Sequence, residues 1–132
     1  MELKGYIYII LGTVLKHISF EKAAEPIDSD LSSKILFYLD NNFKGQITLT
    51  GLSSYLGYSS FYISRYFKNC FMIGFNQYLN IMRLRNAVSL LSEKQHSITY
   101  CALESGFNSM RTFYRSFYKE FGETPGEYIK RL

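Results

Sequence analysis

In the stretch 106–128, aromatic residues recur at helical spacing between two glycine-containing turns, and this pattern limits the possible folds more than any other part of the chain. Phe113, Phe117 and Phe121 lie four residues apart, which places them on one face of a helix. Donor-rich side chains lie on its other faces: Arg111, Thr112, Arg115 and Lys119. The spacing therefore predicts a helix with one apolar face and one basic face.

A short helix precedes this one, and another follows it. Residues 98–105 show helical spacing and end at Gly106, where glycine permits a sharp turn. Thr124 and Pro125 are typical of an N-cap and a first helical residue, so a further helix is predicted to begin there. A short helix, a glycine turn and a basic-faced helix form a helix-turn-helix, whose second helix fits the major groove of DNA.

The same unit occurs earlier in the chain. Thr48 or Thr50 is predicted to cap a short helix that ends at Gly57, and Ser59 to cap a longer helix after it. The two copies align at an offset of 50 residues in four pairs: Arg65 with Arg115, Phe67 with Phe117, Phe71 with Phe121, and Tyr78 with Tyr128. The turn glycines align at an offset of 49, so one residue has been added before the second longer helix. Such a repeat indicates two DNA-reading units.

The segment between the copies is predicted to be a connecting helix. Its apolar stripe consists of Tyr78, Leu79, Met82, Ala87, Leu90 and Leu91. A helix of about seventeen residues would be about 25 Å long and would act as a stiff spacer. Successive major grooves on one face of DNA lie about 34 Å apart, so the two units could enter neighbouring grooves.

The second copy resembles the C-terminal signature of the AraC/XylS family of bacterial transcription regulators. The residues that carry the resemblance are Gly106, Phe107, Phe113, Arg115, Phe117, Lys119, Phe121, Gly122, Thr124, Pro125 and Tyr128. The resemblance covers about residues 30–132. It implies an all-α domain of two helix-turn-helix subdomains joined by a long connecting helix. In this chain the domain is expected to follow an extra N-terminal helix. The expected bounds are 48–71 for the first helix-turn-helix, 75–92 for the connecting helix, 98–121 for the second helix-turn-helix and 125–132 for a C-terminal helix.

The resemblance also implies, position by position, which side chains read bases. In the first recognition helix these are Ser60, Phe61, Ser64 and Arg65, and in the second they are Met110, Arg111, Thr112, Arg115 and Ser116. Arginine suits guanine because its fork matches the O6 and N7 acceptors, and one such pair contributes about 1–3 kcal/mol of discrimination. Phe61 and Thr112 would make apolar contact with a thymine methyl group. The alternative for each arginine is a solvated or salt-bridged side chain.

Phosphate contacts are expected from side chains and from helix N-termini. The candidates are Lys68, Arg83, Arg85 and Lys119, together with the termini capped by Thr48, Thr50 or Ser97. For Arg83, pairing within the fold is the alternative. Tyr118 stands where a basic residue is common in the family. The aromatic residues Phe67, Phe71, Phe113, Phe117, Phe121 and Tyr128 are expected in the core rather than stacked on bases.

The distribution of charge agrees with a polyanionic partner. Residues 1–59 carry a net charge of −1 and residues 60–132 carry +5, and all six arginines lie in the second part. Composition alone is equally consistent with an ordinary basic surface. Together with the duplicated helix-turn-helix pattern, it favours DNA.

Catalytic, metal and cofactor sites are not expected. His17 and His96 lie far apart in sequence, and neither a phosphate-binding glycine loop nor a metal motif is present. Cys70 and Cys101 are expected to be buried reduced thiols, with a disulfide between them as the alternative. The chain has neither a signal-peptide pattern nor an apolar run long enough to span a bilayer, so a cytoplasmic protein with no membrane partner is expected.

Residues 1–20 are predicted to form a separate helix, followed by a linker over 21–29. Its apolar seam extends over two heptads through Leu3, Ile7, Ile10 and Val14. The helix either pairs two copies of the chain as a homodimer or docks on its own domain. In the family, a similar helix ends the N-terminal sensor and dimer domain. Because this chain is too short to hold such a domain, we expect a segment of a longer regulator or a naturally short member.

The sequence thus predicts a regulator that binds double-stranded promoter DNA sequence-specifically, with RNA polymerase as a further candidate partner. Two alternatives remain: an architectural protein that binds DNA without reading it, and a helical module that binds other proteins.

Overall fold

The computed structural model describes residues 29–132, and this part of the chain is helical with short turns and no strands. Its helices are α1 (Ser29–Asn42), α2 (Leu49–Leu56), α3 (Ser60–Phe71), α4 (Phe75–Ser92), α5 (Ile98–Glu104), α6 (Met110–Phe121) and α7 (Pro125–Lys130). The predicted all-α class is confirmed. Leu3, Ile7, Ile10 and Val14 lie outside the described residues.

The first subdomain is built on helices α1 to α3 and the beginning of α4. Its core consists of Leu31, Ile35, Leu39, Leu52, Ile63, Tyr66, Phe67, Cys70, Phe71, Phe75, Tyr78 and Leu79. Phe67 lies at its centre, with the rings of Phe71 and Tyr78 at 4.6 Å and 5.4 Å between centroids. Phe67 and Phe71 belong to α3 and Tyr78 belongs to the predicted apolar stripe of α4, so these contacts hold α3 by its apolar side.

The second subdomain has its own core, formed by the rest of α4 with α5, α6 and α7. Its buried members are Ile81, Leu84, Ala87, Leu91, Cys101, Ala102, Phe107, Phe113, Phe117 and Phe121. Tyr128 packs on this core from α7, with its ring 5.7 Å from that of Phe117. Both cysteines are buried, one in each core, and the alternative of a disulfide between them is not formed.

The connecting helix α4 belongs to both cores. Phe75, Tyr78 and Leu79 pack into the first core, whereas Leu84 and Leu91 pack into the second. A helix that is apolar on more than one side is buried rather than amphipathic. Its 18 residues correspond to about 27 Å at 1.5 Å per residue.

Side-chain caps start most of the shorter helices. The Thr48 side chain accepts from Gly51 N at 3.0 Å, so the cap of α2 is Thr48 and the alternative, Thr50, is wrong because that residue lies inside the helix. Ser97 caps α5 through Tyr100 N at 3.0 Å. At α7 the predicted Thr124 cap is confirmed, and Glu127 completes a capping box by accepting from Thr124 N at 2.9 Å. Helix α7 ends at Lys130, two residues before the predicted end at 132.

The described helices include none with the length and apolar character that a membrane crossing requires.

Candidate nucleic-acid interface

Helix α6 has one buried face and one exposed face. Phe113, Phe117 and Phe121 are buried in the second core. Arg111 and Arg115, which point to the opposite side of the helix, are exposed, as Lys119 is at its last turn. The four-residue spacing of the phenylalanines therefore leaves the basic side chains in solvent.

The beginning of α6 is held by a hydroxyl cap. Ser109 accepts from Thr112 N at 3.2 Å, and its own hydroxyl donates to Thr112 Oγ1 at 3.0 Å. Met110, Thr112 and Ser116 are half-buried beside the exposed face. The Thr112 hydroxyl oxygen thus takes part in the cap, while its methyl group is free of that role.

Helix α3 is organised in the same way. Ser59 caps it by accepting from Tyr62 N at 3.1 Å. Phe61 is 70% exposed, and the Arg65 guanidinium lies over its ring at 5.4 Å from the centroid. A guanidinium held over an aromatic ring by a cation–π contact has fewer accessible conformations than a fully solvated one. Of the other predicted base-reading residues on α3, Ser64 is exposed and Ser60 is half-buried.

The two exposed faces have related compositions. Phe61, Arg65 and Lys68 form an exposed row on α3, and the equivalent residues of α6, also exposed, are Arg111, Arg115 and Tyr118. We call these two sets the α3 ridge and the α6 ridge. Each ridge carries two cations and one aromatic ring. The ring lies near the beginning of α3 (Phe61) but near the end of α6 (Tyr118). Tyr118 is 59% exposed; it is absent from the base-reading residues predicted above, although its spacing from Arg111 and Arg115 indicates the same face.

Arg83 is a correction to the predicted phosphate contacts. Its side chain is buried, and it donates from Nε to Phe43 O at 2.8 Å and from Nη2 to Gly45 O at 2.7 Å. Burial lowers the pKa of its guanidinium. Because these donors already bind backbone carbonyls inside the fold, they are not available to a phosphate, and the alternative of pairing within the fold holds.

The other phosphate candidates are placed differently. Lys68 and Lys119 lie exposed in the last turns of α3 and α6, and Arg85 is half-buried on α4. Thr48 and Ser97 are exposed at the first turns of α2 and α5. Thr50 is also exposed but has no capping role.

The aromatic residues on the inner faces are core residues, as predicted. Phe67, Phe71, Phe113, Phe117 and Phe121 are all buried. None of them is therefore accessible to a base, and this separates them from the exposed Phe61 and Tyr118.

Comparisons with known proteins place this arrangement in a family. The sequence profile of a helix-turn-helix domain matches residues 52–131. An uncharacterized HTH-type transcriptional regulator of Staphylococcus aureus (strain COL) is 30% identical over 102 residues, which are 77% of this chain and 14% of that protein. The melibiose operon regulatory protein of Escherichia coli K12 is 29% identical over 98 residues, which cover 74% of this chain and 32% of that protein. This chain thus spans well under half of either relative.

A solved structure agrees with the sequence comparison. The C-terminal domain of the two-component response regulator yesN from Fusobacterium nucleatum superposes with a TM-score of 0.72 at 31% identity. The match covers 76% of this chain and 98% of that domain. With the duplicated, capped helical units described above, these matches show that this chain belongs to the AraC/XylS family of helix-turn-helix, DNA-binding transcription regulators.

Proposed function

We propose that this chain reads promoter DNA sequence-specifically by placing α3 and α6 in successive major grooves on one face of the duplex. The observation that carries the proposal is that the two recognition helices, each held by its apolar face, both present an exposed ridge with two cations. The connecting helix supports it, because its length of about 27 Å is comparable with the distance of about 34 Å between successive grooves.

Within each ridge, the arginines are the proposed base-reading groups. Arg65, Arg111 and Arg115 would each donate two hydrogen bonds to a guanine edge. Phe61 would hold the Arg65 guanidinium in place and offer its exposed ring edge to a thymine methyl group. Smaller contacts are assigned to the half-buried or exposed neighbours Ser60, Ser64, Met110, Thr112 and Ser116.

Lys68 and Lys119 are the proposed phosphate contacts, since both extend from the ends of recognition helices. Arg85 and the N-termini capped by Thr48 and Ser97 are further candidates. Phosphate contacts position a protein on DNA without reading sequence. Their loss should therefore weaken binding to every sequence alike and reduce its salt dependence.

The test is selection of bound sequences from a random duplex pool with the full 132-residue chain. We expect a two-part motif whose halves are centred about ten base pairs apart. Recovery of no enriched sequence, with equal affinity for all duplexes and the same steep salt dependence, would support the architectural alternative.

Single variants then separate the roles. Arg65→Ala and Arg115→Ala should each cost about 1–3 kcal/mol and relax the selected base in one half of the motif. Lys119→Ala should weaken selected and scrambled DNA alike. Lys34→Ala, on α1, changes the net charge equally and is the control. If the Arg65→Ala, Arg115→Ala double variant keeps full affinity, α3 and α6 do not read DNA and the protein-interaction alternative, for which RNA polymerase is the candidate partner, replaces the proposal.

Self-association through residues 1–20 is proposed from the sequence alone. Replacing Ile7 and Ile10 by polar residues should then weaken it. Light scattering at high protein concentration tests this, and a strictly monomeric unaltered chain would refute it.

A further inference from the structure

Three segments meet between the two subdomains. They are the turn after α1 (residues 43–46), Arg83 on α4, and the turn between α5 and α6 (residues 105–108), and we call their meeting point the joint. Arg83 binds the first turn through its bonds to Phe43 O at 2.8 Å and Gly45 O at 2.7 Å. The connecting helix is thereby attached to a loop that precedes the first helix-turn-helix.

Gly106 brings the second turn into direct contact with this assembly. Its φ is +104°, and a Cβ there would lie 2.7 Å from Phe43 O, 2.8 Å from Arg83 Nε and 2.9 Å from Lys44 Cα. These distances are up to about 1 Å shorter than ordinary contacts between non-bonded atoms. Gly57, the equivalent glycine of the first copy, has φ +82° but nothing within 4 Å of its Cβ position. Both glycines adopt the positive φ of a turn, but only Gly106 also lies against another segment of the chain.

Two further hydrogen bonds flank the contact. Asn108 Nδ2 donates to Gln46 Oε1, which links the two turns across 62 positions in sequence. Asn86 Nδ2 donates to Ser105 Oγ at 2.9 Å, which links α4 to the second turn. The joint thus combines a backbone contact with polar bonds from three separate elements.

We propose that this joint, rather than the connecting helix alone, fixes the position of α6 relative to α3 and so determines the spacing between the two half-sites on DNA. Because α4 packs into both cores, it sets the distance between the subdomains, and bending or twisting of this helix is limited by further contacts between them. The joint supplies such contacts close to the reading elements, because Asn108 directly precedes the α6 cap and Gln46 lies two residues before the α2 cap. The inference rests on the proposed function, in which both helices bind one duplex.

The experiment compares Gly106→Ala with Gly57→Ala, because both introduce a methyl group at positive φ and only the first meets Phe43 and Arg83. The probes are the duplex selected by the unaltered chain and two versions with one base pair inserted or removed between the half-sites. The unaltered chain should lose about tenfold or more in affinity when the spacing changes. We define the spacing ratio as the affinity for the selected duplex divided by the affinity for a duplex with altered spacing. Gly57→Ala should keep the spacing ratio of the unaltered chain even if it binds more weakly. Gly106→Ala should change the spacing ratio at least about threefold or shift the preferred spacing.

A double variant covers the case in which Gly106→Ala does not fold. Gln46 and Asn108 are both exposed, so the Gln46→Ala, Asn108→Ala double variant removes one link without disturbing the core. It should bind the selected duplex and tolerate altered spacing better than the unaltered chain does. The proposal would be overturned if this double variant, and Gly106→Ala where it folds, had the same spacing ratio as the unaltered chain.

A DNA-free measurement separates this inference from the proposed function. Spin labels at Ser64→Cys on α3 and Tyr114→Cys on α6 report the distance between the helices, while native Cys70 and Cys101 are buried. We expect one distance for the unaltered chain and for Gly57→Ala, and a shifted or broadened distribution for Gly106→Ala. Identical distributions would overturn the joint's role. Sequence-specific binding that is indifferent to spacing would also overturn it while leaving the proposed function intact. Failure to select any sequence would overturn the proposed function and with it the claim about half-site spacing, whereas the DNA-free distances would still show whether the joint fixes α6 relative to α3.

Discussion

Replacing Arg83 by methionine removes two charge-assisted hydrogen bonds while keeping most of the volume of the side chain. The two acceptors, Phe43 O and Gly45 O, lie 2.8 Å and 2.7 Å from their donors. They differ in setting, because Phe43 is half-buried and Gly45 is exposed. Methionine therefore leaves one carbonyl partly shielded from water and one that water can reach.

The expected magnitude follows from this difference. A hydrogen bond to a charged group contributes about 1.5–3 kcal/mol, and a buried acceptor left without a partner costs about 1–3 kcal/mol. Desolvation of the guanidinium, which also lowers the pKa of Arg83, opposes part of the stabilisation by these hydrogen bonds. In the methionine variant, water can bind Gly45 O, and this reduces the cost of the substitution further. We expect Arg83→Met to lower the free energy of unfolding by about 2–3 kcal/mol. Arg83→Lys, which keeps the charge and one donor direction, should cost about half as much.

The assay is urea denaturation followed by circular dichroism, and Arg85→Met is the matched control. Arg85 lies on the same helix and carries the same charge, but it is half-buried. It should cost no more than about 0.5 kcal/mol, as surface substitutions do. Equal losses for the two variants would refute the assignment of Arg83 to the joint and return it to the set of charged surface residues.

Three further predictions concern helix ends. Ser109→Ala should lower the free energy of unfolding by about 1 kcal/mol through loss of the α6 cap, and equal denaturation midpoints would contradict the observed bond. Met72 follows the last residue of α3 at φ +70° with a 55% exposed side chain, and Gly122 holds the equivalent position after α6 at φ +71°. Because glycine adopts positive φ without strain, Met72→Gly should raise the free energy of unfolding in urea by about 0.5–1 kcal/mol. A lower free energy of unfolding would show that contacts of the methionine side chain outweigh the strain. The backbone hydrogen bond from Thr124 N lowers the pKa of Glu127. The contribution of this bond to the free energy of unfolding is therefore present above the ordinary glutamate pKa and is lost as the pH falls through the lowered value. Glu127→Gln should flatten the melting temperature against pH in the acid range, and an unchanged profile would contradict the capping box.

Much of the fold follows from local patterns that operate within a few residues. The spacing of Phe113, Phe117 and Phe121 requires one face of α6 to be buried, whatever it packs against. The hydroxyl caps at Ser59 and Ser109 also act within one turn. A 50-residue repeat then relates two such units, so the exposure of Arg65 and Arg115 opposite the apolar faces is predictable from sequence spacing alone.

Other assignments depended on neighbours that are distant in sequence. Arg83 and Arg85 are the same residue type two positions apart, yet only Arg83 meets the carbonyls of residues 43 and 45, some 40 positions earlier. The turn glycines Gly57 and Gly106 look equivalent in sequence, but only the second touches another segment.

The helices, most of their first residues and their apolar faces can be placed from the sequence, because they depend on short-range periodicity and capping, and the duplication is visible when two segments 50 residues apart are compared. The sharing of α4 by two cores, the internal position of Arg83 and the joint between the subdomains become visible only in the folded structure. Those features depend on how the chain brings residues 43–46, 83 and 105–108 together, and no local pattern contains that information.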